Sequence, residues 1–162
     1  MRMLESVPAV LEALAARKMT LAVAEGDTGG RLLAGLTAMA GSSGVVRGGV
    51  VAYHDDLKRR LLEVAPEVLE RHGAVSAQVA EAMAQGVRRL AGADLGLAAT
   101  GIAGPGGATP TKPVGLAYVA AASAERVLVR EYHWEGEREA NRAASAEAAL
   151  RLALELLECS TA

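Results

Sequence analysis

The chain has 162 residues, a length that fits one domain of ordinary size. Hydrophobic residues make up 51 % of it and are almost all aliphatic, with three tyrosines, one tryptophan and no phenylalanine. The 17 basic and 19 acidic residues give a formal net charge of −2. Composition and charge therefore argue against a general nucleic-acid binder, which needs a basic surface or aromatic stacking platforms.

The same counts limit metal sites, disulfides and membrane segments. The single cysteine, Cys159, can form neither an internal disulfide nor a cysteine-cluster metal site. His54, His72 and His133 lie far apart in the sequence, so we expect no metal and no cofactor. The first 17 residues lack the apolar core of a signal peptide, and no apolar run approaches the roughly 20 residues of a membrane helix. We expect a soluble, cytoplasmic protein with a single domain over residues 1–162.

Hydrophobic spacing predicts alternating elements over the first ninety residues. In chain order they are a helix, a strand, a helix, a strand and three helices, over Val7–Arg17, Thr20–Ala24, Arg31–Ala38, Val45–Tyr53, Asp55–Leu62, Pro66–His72 and Ala77–Leu90. Pro8 suits the first turn of the first helix, and Ser76 is a good N-cap for the last. Gly48 and Gly49 indicate a bulge or a close backbone approach in the second strand.

The second half of the chain begins with a strand over Asp94–Ala99, which leads into a long loop, Gly101–Pro113. Val114–Ala122 and Arg126–Trp134 are rich in β-forming residues, and their short link predicts an antiparallel hairpin. Arg138–Glu158 is a long closing helix. The fold class is therefore α/β: a three-layer α/β/α sandwich on a mixed, mostly parallel sheet with a C-terminal hairpin and a closing helix.

The first candidate for chemistry is the run AEGDTGG, residues 24–30, between the first strand and the second helix. Two interpretations fit it. A glycine turn at a helix N-terminus can present free backbone N–H groups to an anion. Alternatively, the glycines only form a tight turn, and Asp27 or Thr28 caps the helix. The run is neither a P-loop nor a dinucleotide fingerprint.

The second candidate combines Tyr53, at the end of a predicted strand, with Lys58 on the next helix. A tyrosine and a desolvated lysine that converge on one pocket can relay protons. The alternative is a half-buried tyrosine beside a solvated basic helix face formed by Lys58, Arg59 and Arg60.

The third candidate is the glycine- and proline-rich segment Thr100–Pro113. It follows a predicted strand at the end where open α/β sheets hold ligands. A loop of this length in a small domain favours function, because its prolines keep it stiff and its glycines let a ligand touch the backbone. Arg138 or Arg142, on the closing helix, could face an anionic ligand.

Together these segments resemble the C-terminal domain of the CinA family. The resemblance is carried by TGIAGPGG followed by TPTKPVG, by GGVVAY with a lysine five residues later, by HGAVS, and by W-x-G-x-R before an alanine-rich helix. It covers the chain from about Val7 to Leu157. It implies an α/β/α domain, usually an oligomer, that hydrolyses the carboxamide of nicotinamide mononucleotide to the acid and ammonia.

The resemblance also implies which residues form the site. The family's first glycine turn carries a serine, taken as the nucleophile, with Tyr53 and Lys58 matching its presumed activators. Gly26 occupies the serine position here, so we predict impaired or absent amidase activity. Asp27 could instead orient a water, and Thr28 is the nearest hydroxyl. The alternative is a non-catalytic homologue that binds a nucleotide-like ligand or its own partner subunits.

The predicted ligand-binding residues lie on the two glycine-rich segments: Glu25, Gly26, Gly29, Gly30, Thr100, Gly101, Gly104, Gly106, Gly107 and Lys112. The predicted partners are a nucleotide-like small molecule and further copies of the chain, with no nucleic acid and no membrane.

Overall fold

A five-stranded sheet forms the middle layer of the computed structural model, which describes residues 4–159. The strands are β1 (Leu21–Glu25), β2 (Val46–Val51), β3 (Leu95–Gly101), β4 (Leu116–Ala122) and β5 (Val127–His133). Their order is β2-β1-β3-β4-β5. β1 is parallel to both of its neighbours, and β4 is antiparallel to β3 and β5. Four strands thus run in one direction, which confirms the predicted mixed sheet and its C-terminal hairpin.

Six α-helices lie on the two faces of the sheet over the same residues. They are α1 (Val7–Arg17), α2 (Arg31–Thr37), α3 (Asp55–Leu62), α4 (Pro66–His72), α5 (Ala77–Ala91) and α6 (Arg138–Cys159). The predicted bounds of α1, α3 and α4 are confirmed, and the other helix bounds differ by one residue. None of these helices is both long enough and apolar enough to cross a membrane. The predicted domain, residues 1–162, includes residues 1–3 and 160–162, which lie outside the described residues.

Two separate apolar cores pack against the sheet, because successive residues of a strand point to opposite faces. On β1, Leu21 and Val23 join the core formed with α1, α2 and α6. Ala22 and Ala24 join the core formed with α3, α4 and α5. Alanines dominate the second face of the sheet, so α5 packs close to the strands there. The predicted three layers are therefore confirmed.

The glycine pair of β2 has both of the predicted features. The pairing shifts from Leu21 opposite Val46 to Ala22 opposite Gly48, which leaves one extra residue as a bulge. Gly48 takes a φ of 135°, which side chains rarely adopt. At Gly49 an added Cβ would lie 2.6 Å from the carbonyl oxygen of Val23. The bulge and the close backbone approach thus occur at neighbouring residues.

The sheet topology brings three loops to one edge. β1 pairs with β2 on one side and with β3 on the other, so the strand order changes direction at β1. Glu25 pairs with Val51 of β2 on one side and with Ala99 of β3 on the other. The segments that follow these three strands must therefore lie close together, at the position where open α/β sheets hold ligands.

Candidate functional site

A cavity of about 230 Å³ opens at this edge of the sheet. Three of the predicted catalytic residues line it: Asp27, Tyr53 and Lys58. The predicted ligand-binding residues that line it are Gly26, Thr100, Gly101, Gly104, Gly106 and Gly107. The structure therefore brings residues from three distant segments of the chain into one cavity.

The β1–α2 turn (residues 26–30) leads into helix α2, and the side chain of Glu25, at the end of β1, caps the N-terminus of that helix. This side chain is fully buried, and its two carboxylate oxygens accept hydrogen bonds from the backbone N–H groups of Gly30, Leu32 and Leu33 at 2.8–3.0 Å. The free N–H groups predicted for an external anion are thus already bound, and that prediction is wrong. The alternative cap at Asp27 or Thr28 is also wrong, because the cap comes from the preceding strand. Glu25 does not line the cavity.

Asp27 is the acidic group of the cavity wall. Its side chain is 9 % exposed, and its Oδ1 has no hydrogen-bond partner among the described residues. Its carboxylate packs so closely against Gly101 that a Cβ added there would lie 2.7 Å from Oδ2. Burial raises the pKa of Asp27 to about 6, although nearby backbone N–H groups and Arg142 act in the opposite direction. A carboxyl with this pKa can exchange a proton near neutral pH.

Gly26 and Thr28 flank this carboxylate in the sequence but offer no reactive group to the cavity. The N–H of Gly26 donates to the carbonyl of Ala99 at 2.9 Å, which fixes the start of the turn. A Cβ added at Gly26 would lie 3.6 Å from Oγ1 of Thr100, another cavity residue. Thr28 is fully buried and is not part of the cavity lining.

Tyr53 and Lys58 both line the cavity, but they differ widely in solvent exposure. Tyr53 is 64 % exposed, and its hydroxyl accepts a hydrogen bond of 3.2 Å from Arg138. Lys58 is 3 % exposed, with its Nζ 3.0 Å from Oδ1 of Asp55. The alternative of a solvated basic helix face is therefore wrong for Lys58. It holds for Arg59, which pairs with Asp56 at the surface.

The β3–β4 loop (residues 102–115) is held in place by side chains from other segments. Arg138 donates to the carbonyl of Gly104 at 2.8 Å, and the buried Asn141 donates to the carbonyl of Ala103 at 3.1 Å. Lys112 donates from Nζ to the carbonyls of His72 and Val75. Lys112 therefore anchors the loop and does not line the cavity. Spacing alone did not reveal Asn141, because it lies nearly forty residues from its partner.

Gly29, Gly30 and Arg142 belong to a different surface. Together with Arg31 they line a separate recess beside α2. Arg142 donates from Nε to the carbonyl of Asp27 and from Nη2 to that of Thr28, both at 2.9 Å. Of the two arginines that could face an anion, Arg138 therefore lies at the cavity, and Arg142 supports the turn from outside it.

The sequence of residues 4–157 matches the CinA C-terminal domain. The chain belongs to the CinA family. It is 59 % identical over 110 residues to a CinA-like protein of Synechococcus sp. (strain CC9311), a match that covers 68 % of this chain and 26 % of that protein. A CinA-like protein of Syntrophus aciditrophicus (strain SB) is 45 % identical over 155 residues, which cover 95 % and 37 % of the two chains. This CinA domain thus spans about a third of the length of these curated relatives.

Solved structures of CinA proteins have the same fold. A CinA superfamily protein of Klebsiella pneumoniae 700603 superimposes with a TM-score of 0.92 at 34 % identity, over 98 % of this chain and 99 % of that one. A CinA superfamily protein of Escherichia coli gives 0.90 at 32 % identity, over 94 % and 89 %. The predicted family and the predicted α/β architecture are both confirmed.

Proposed function

We propose that this CinA domain binds nicotinamide mononucleotide in the cavity at the ends of β1, β2 and β3, and hydrolyses its carboxamide slowly by direct attack of water. Asp27 would act as the general base in place of the missing serine. The observation that carries this proposal is the buried Asp27 carboxylate, which lines the cavity and has its pKa raised to about 6. It lies next to Gly26, the position that matches the family's serine.

The reaction needs no covalent intermediate. Asp27 accepts a proton from a water molecule, whose oxygen bonds to the carboxamide carbon. The proton then passes to the leaving nitrogen as the carbon–nitrogen bond breaks, so the products are ammonia and the carboxylic acid, which loses its remaining proton to water. Lys58 and the hydroxyl of Tyr53 line the same cavity and can donate hydrogen bonds to the oxygen on which negative charge develops.

The charges around the cavity suit the two ends of this substrate. Asp55 is paired with Lys58, so Asp27 supplies the negative charge of the lining, which favours a cationic pyridinium ring. Arg138 supplies positive charge, which favours a phosphate group. The cavity of about 230 Å³ is smaller than the roughly 300 Å³ of a typical ligand pocket, so part of the nucleotide would remain exposed.

The test is to incubate the purified protein with nicotinamide mononucleotide and measure ammonia and the acid product. We expect turnover that rises with pH up to about 6 and then levels off, because only the ionised Asp27 can accept a proton. Asp27→Asn should lower the rate by about 100-fold or more. Asp56→Asn, a surface change on α3, is the matched control and should leave the rate unchanged. A rate unaffected by Asp27→Asn would contradict the role of Asp27.

A second candidate function is binding without turnover. It is favoured by Gly26, which offers no nucleophile, and removal of such a group typically leaves only about 10³–10⁴-fold catalysis over water. Calorimetric binding of the nucleotide with no ammonia above the background of a Tyr53→Phe/Lys58→Ala variant would support this function. Absence of binding would contradict both candidates.

Gly26→Ser tests whether the rest of the site is intact. Gly26 has no left-handed φ, and its Cβ would lie 3.3 Å from the carbonyl oxygen of Ala99, so a shift of a few tenths of an ångström makes room. We expect the variant to gain activity through an acyl-enzyme, which added hydroxylamine would trap as a hydroxamate. In the parent protein hydroxylamine should not change the rate of ammonia release through an acyl-enzyme, since none forms. Failure to gain activity with an unchanged fold would mean that the pocket no longer positions the carboxamide.

A further inference from the structure

We propose that the recess beside α2 is a second binding site, which takes a phosphate group, either free or at the end of a small metabolite. The recess is lined by Gly29, Gly30, Arg31, Ala34, Glu139 and Arg142, and it shares no lining residue with the catalytic cavity. This inference does not depend on the proposed amidase.

Two guanidinium groups in the recess share a single carboxylate. Glu139 pairs with Arg31 through Oε1 and with Arg142 through Oε2, the second at 3.1 Å. The arginine side chains are 6 % and 24 % exposed, whereas that of Glu139 is 66 % exposed. The recess therefore carries a net positive charge, and its two arginines are less exposed than its carboxylate.

Of the two arginines, Arg31 has fewer of its N–H donors in hydrogen bonds. Its Nε is buried and has no hydrogen-bond partner among residues 4–159. Burial and the positive charge of Arg142 both lower the pKa of Arg31, so the pair with Glu139 only partly offsets the cost of its charged form. A buried donor without a partner is uncommon in folded proteins, and a bound water or ion is one way to satisfy it.

Glu139 occupies the place that an anionic ligand would take. A carboxylate bridging two guanidiniums presents the same paired oxygens as a phosphate, which carries more charge and one more acceptor. An exposed glutamate in the first turn of a helix gains little from its ion pairs. A phosphate can therefore replace it at small cost. The recess measures about 440 Å³, enough for a phosphate with an attached sugar.

Arg142 links this recess to the catalytic cavity. Two of its nitrogens donate to the carbonyls of Asp27 and Thr28, while Nη1 faces Glu139. A phosphate on Nη1 would act on the same guanidinium that lowers the pKa of Asp27. Binding in the recess is therefore expected to alter the titration of the cavity carboxylate.

Calorimetry with orthophosphate and with ribose 5-phosphate tests the site in the absence of any turnover. Arg31→Gln should weaken binding at least about tenfold, because it removes one charge-assisted donor pair. Glu139→Gln should strengthen binding about threefold or more, because it removes the competing carboxylate. Since the second variant changes only an exposed side chain, it tests the site even if Arg31→Gln fails to fold. A preference for ribose 5-phosphate would show that the recess also contacts the group attached to the phosphate, and a preference for orthophosphate would identify free phosphate as the ligand.

Two controls separate this site from the catalytic cavity and from general charge effects. Arg60→Gln removes one positive charge from the surface of α3, where the side chain is 71 % exposed, and should leave binding unchanged. Arg138→Gln removes the arginine of the cavity at the ends of β1, β2 and β3, and should leave unchanged the phosphate binding that Arg31→Gln weakens. Loss of all phosphate binding in Arg138→Gln would overturn the proposal, as would equal affinities in the parent, Arg31→Gln and Glu139→Gln proteins.

Discussion

Two glycine-rich segments border the cavity at the ends of β1, β2 and β3, and they are held in different ways. The β1–α2 turn is fixed in part from within, since Glu25 accepts the N–H of Gly30 and Gly29 donates to the carbonyl of Gly26. Arg142 adds two hydrogen bonds to it from α6. The β3–β4 loop is fixed from outside, by Arg138, Asn141 and Lys112. Its residues 105–111 are all exposed.

Under the proposed function, this difference gives the two glycine-rich segments different roles. A turn whose N–H groups are already bound cannot offer them to a ligand, so its contribution is the position of one side chain, Asp27. A loop that is anchored only near its ends keeps backbone groups available to a ligand. The β1–α2 turn would then supply the reactive carboxylate, and the β3–β4 loop would supply backbone groups that bind the ligand.

Glu25→Ala is expected to have the largest effect on stability, because it removes the side chain that caps α2. This change leaves three N–H groups at the start of α2 without an acceptor, one of them buried and two partly buried. We expect the free energy of unfolding to fall by about 3–5 kcal/mol, because several hydrogen bonds to a charged acceptor are lost together. Urea unfolding followed by circular dichroism measures it.

Glu12→Ala on the exposed face of α1 is the matched control and should change stability by less than about 0.5 kcal/mol. A loss of similar size in both variants would mean that the carboxylate of Glu25 does not support the turn.

Much of the fold could be predicted because its signals are local. α1, α3 and α4 have the predicted bounds, since apolar spacing and the prolines in the first turns of α1 and α4 identify them. The N-cap at Ser76 is confirmed, as its Oγ accepts from the N–H of Val79. Strand ends were less accurate: Gly101 belongs to β3, because pairing with β4 extends the strand past Ala99.

The partners of the site residues could not be predicted, because they come from distant parts of the chain. Asp27 is supported by Arg142, more than one hundred residues away. Lys112, between two prolines, looks like an exposed loop residue, yet its Nζ reaches the segment before α5. One signal for the cap was available: an acidic residue at the end of a fully buried strand needs donors, and the next helix N-terminus supplies them.

Asp27→Asn is expected to change the free energy of unfolding by less than Glu25→Ala does. The folded-state pKa of about 6 lies above the ordinary value of 3.8. Below the ordinary value both states bind the proton and the carboxyl costs nothing. As the pH rises, the unfolded state ionises first, so the folded state loses stability until the pH exceeds about 6. Asparagine avoids this loss, and we expect the variant to be more stable by about 3 kcal/mol at pH 8 and by about 1 kcal/mol at pH 4.5.

Urea unfolding at these two pH values measures the difference. Asp56→Asn provides a control of opposite sign, because the hydrogen bond from Arg59 lowers the pKa of Asp56 and the ionised form therefore stabilises the fold. An advantage for Asp27→Asn that does not grow with pH would mean that the carboxylate is not desolvated, which would also weaken its assignment as the general base.

Lys112→Met is expected to have the smallest effect on overall stability, and its effect should be confined to one part of the chain. Its Nζ bonds join the β3–β4 loop to the carbonyls of His72 and Val75, and methionine keeps the aliphatic stem but loses both bonds. We expect a loss of about 1–2 kcal/mol, with faster amide exchange confined to the loop and to residues 72–75. Lys18→Met, at an exposed position after α1, should leave exchange there unchanged. Because the β1–α2 turn has its own internal bonds, its exchange should not change in either variant. Faster exchange at both segments in Lys112→Met would mean that they form one unit and that the loop is not held independently of the turn.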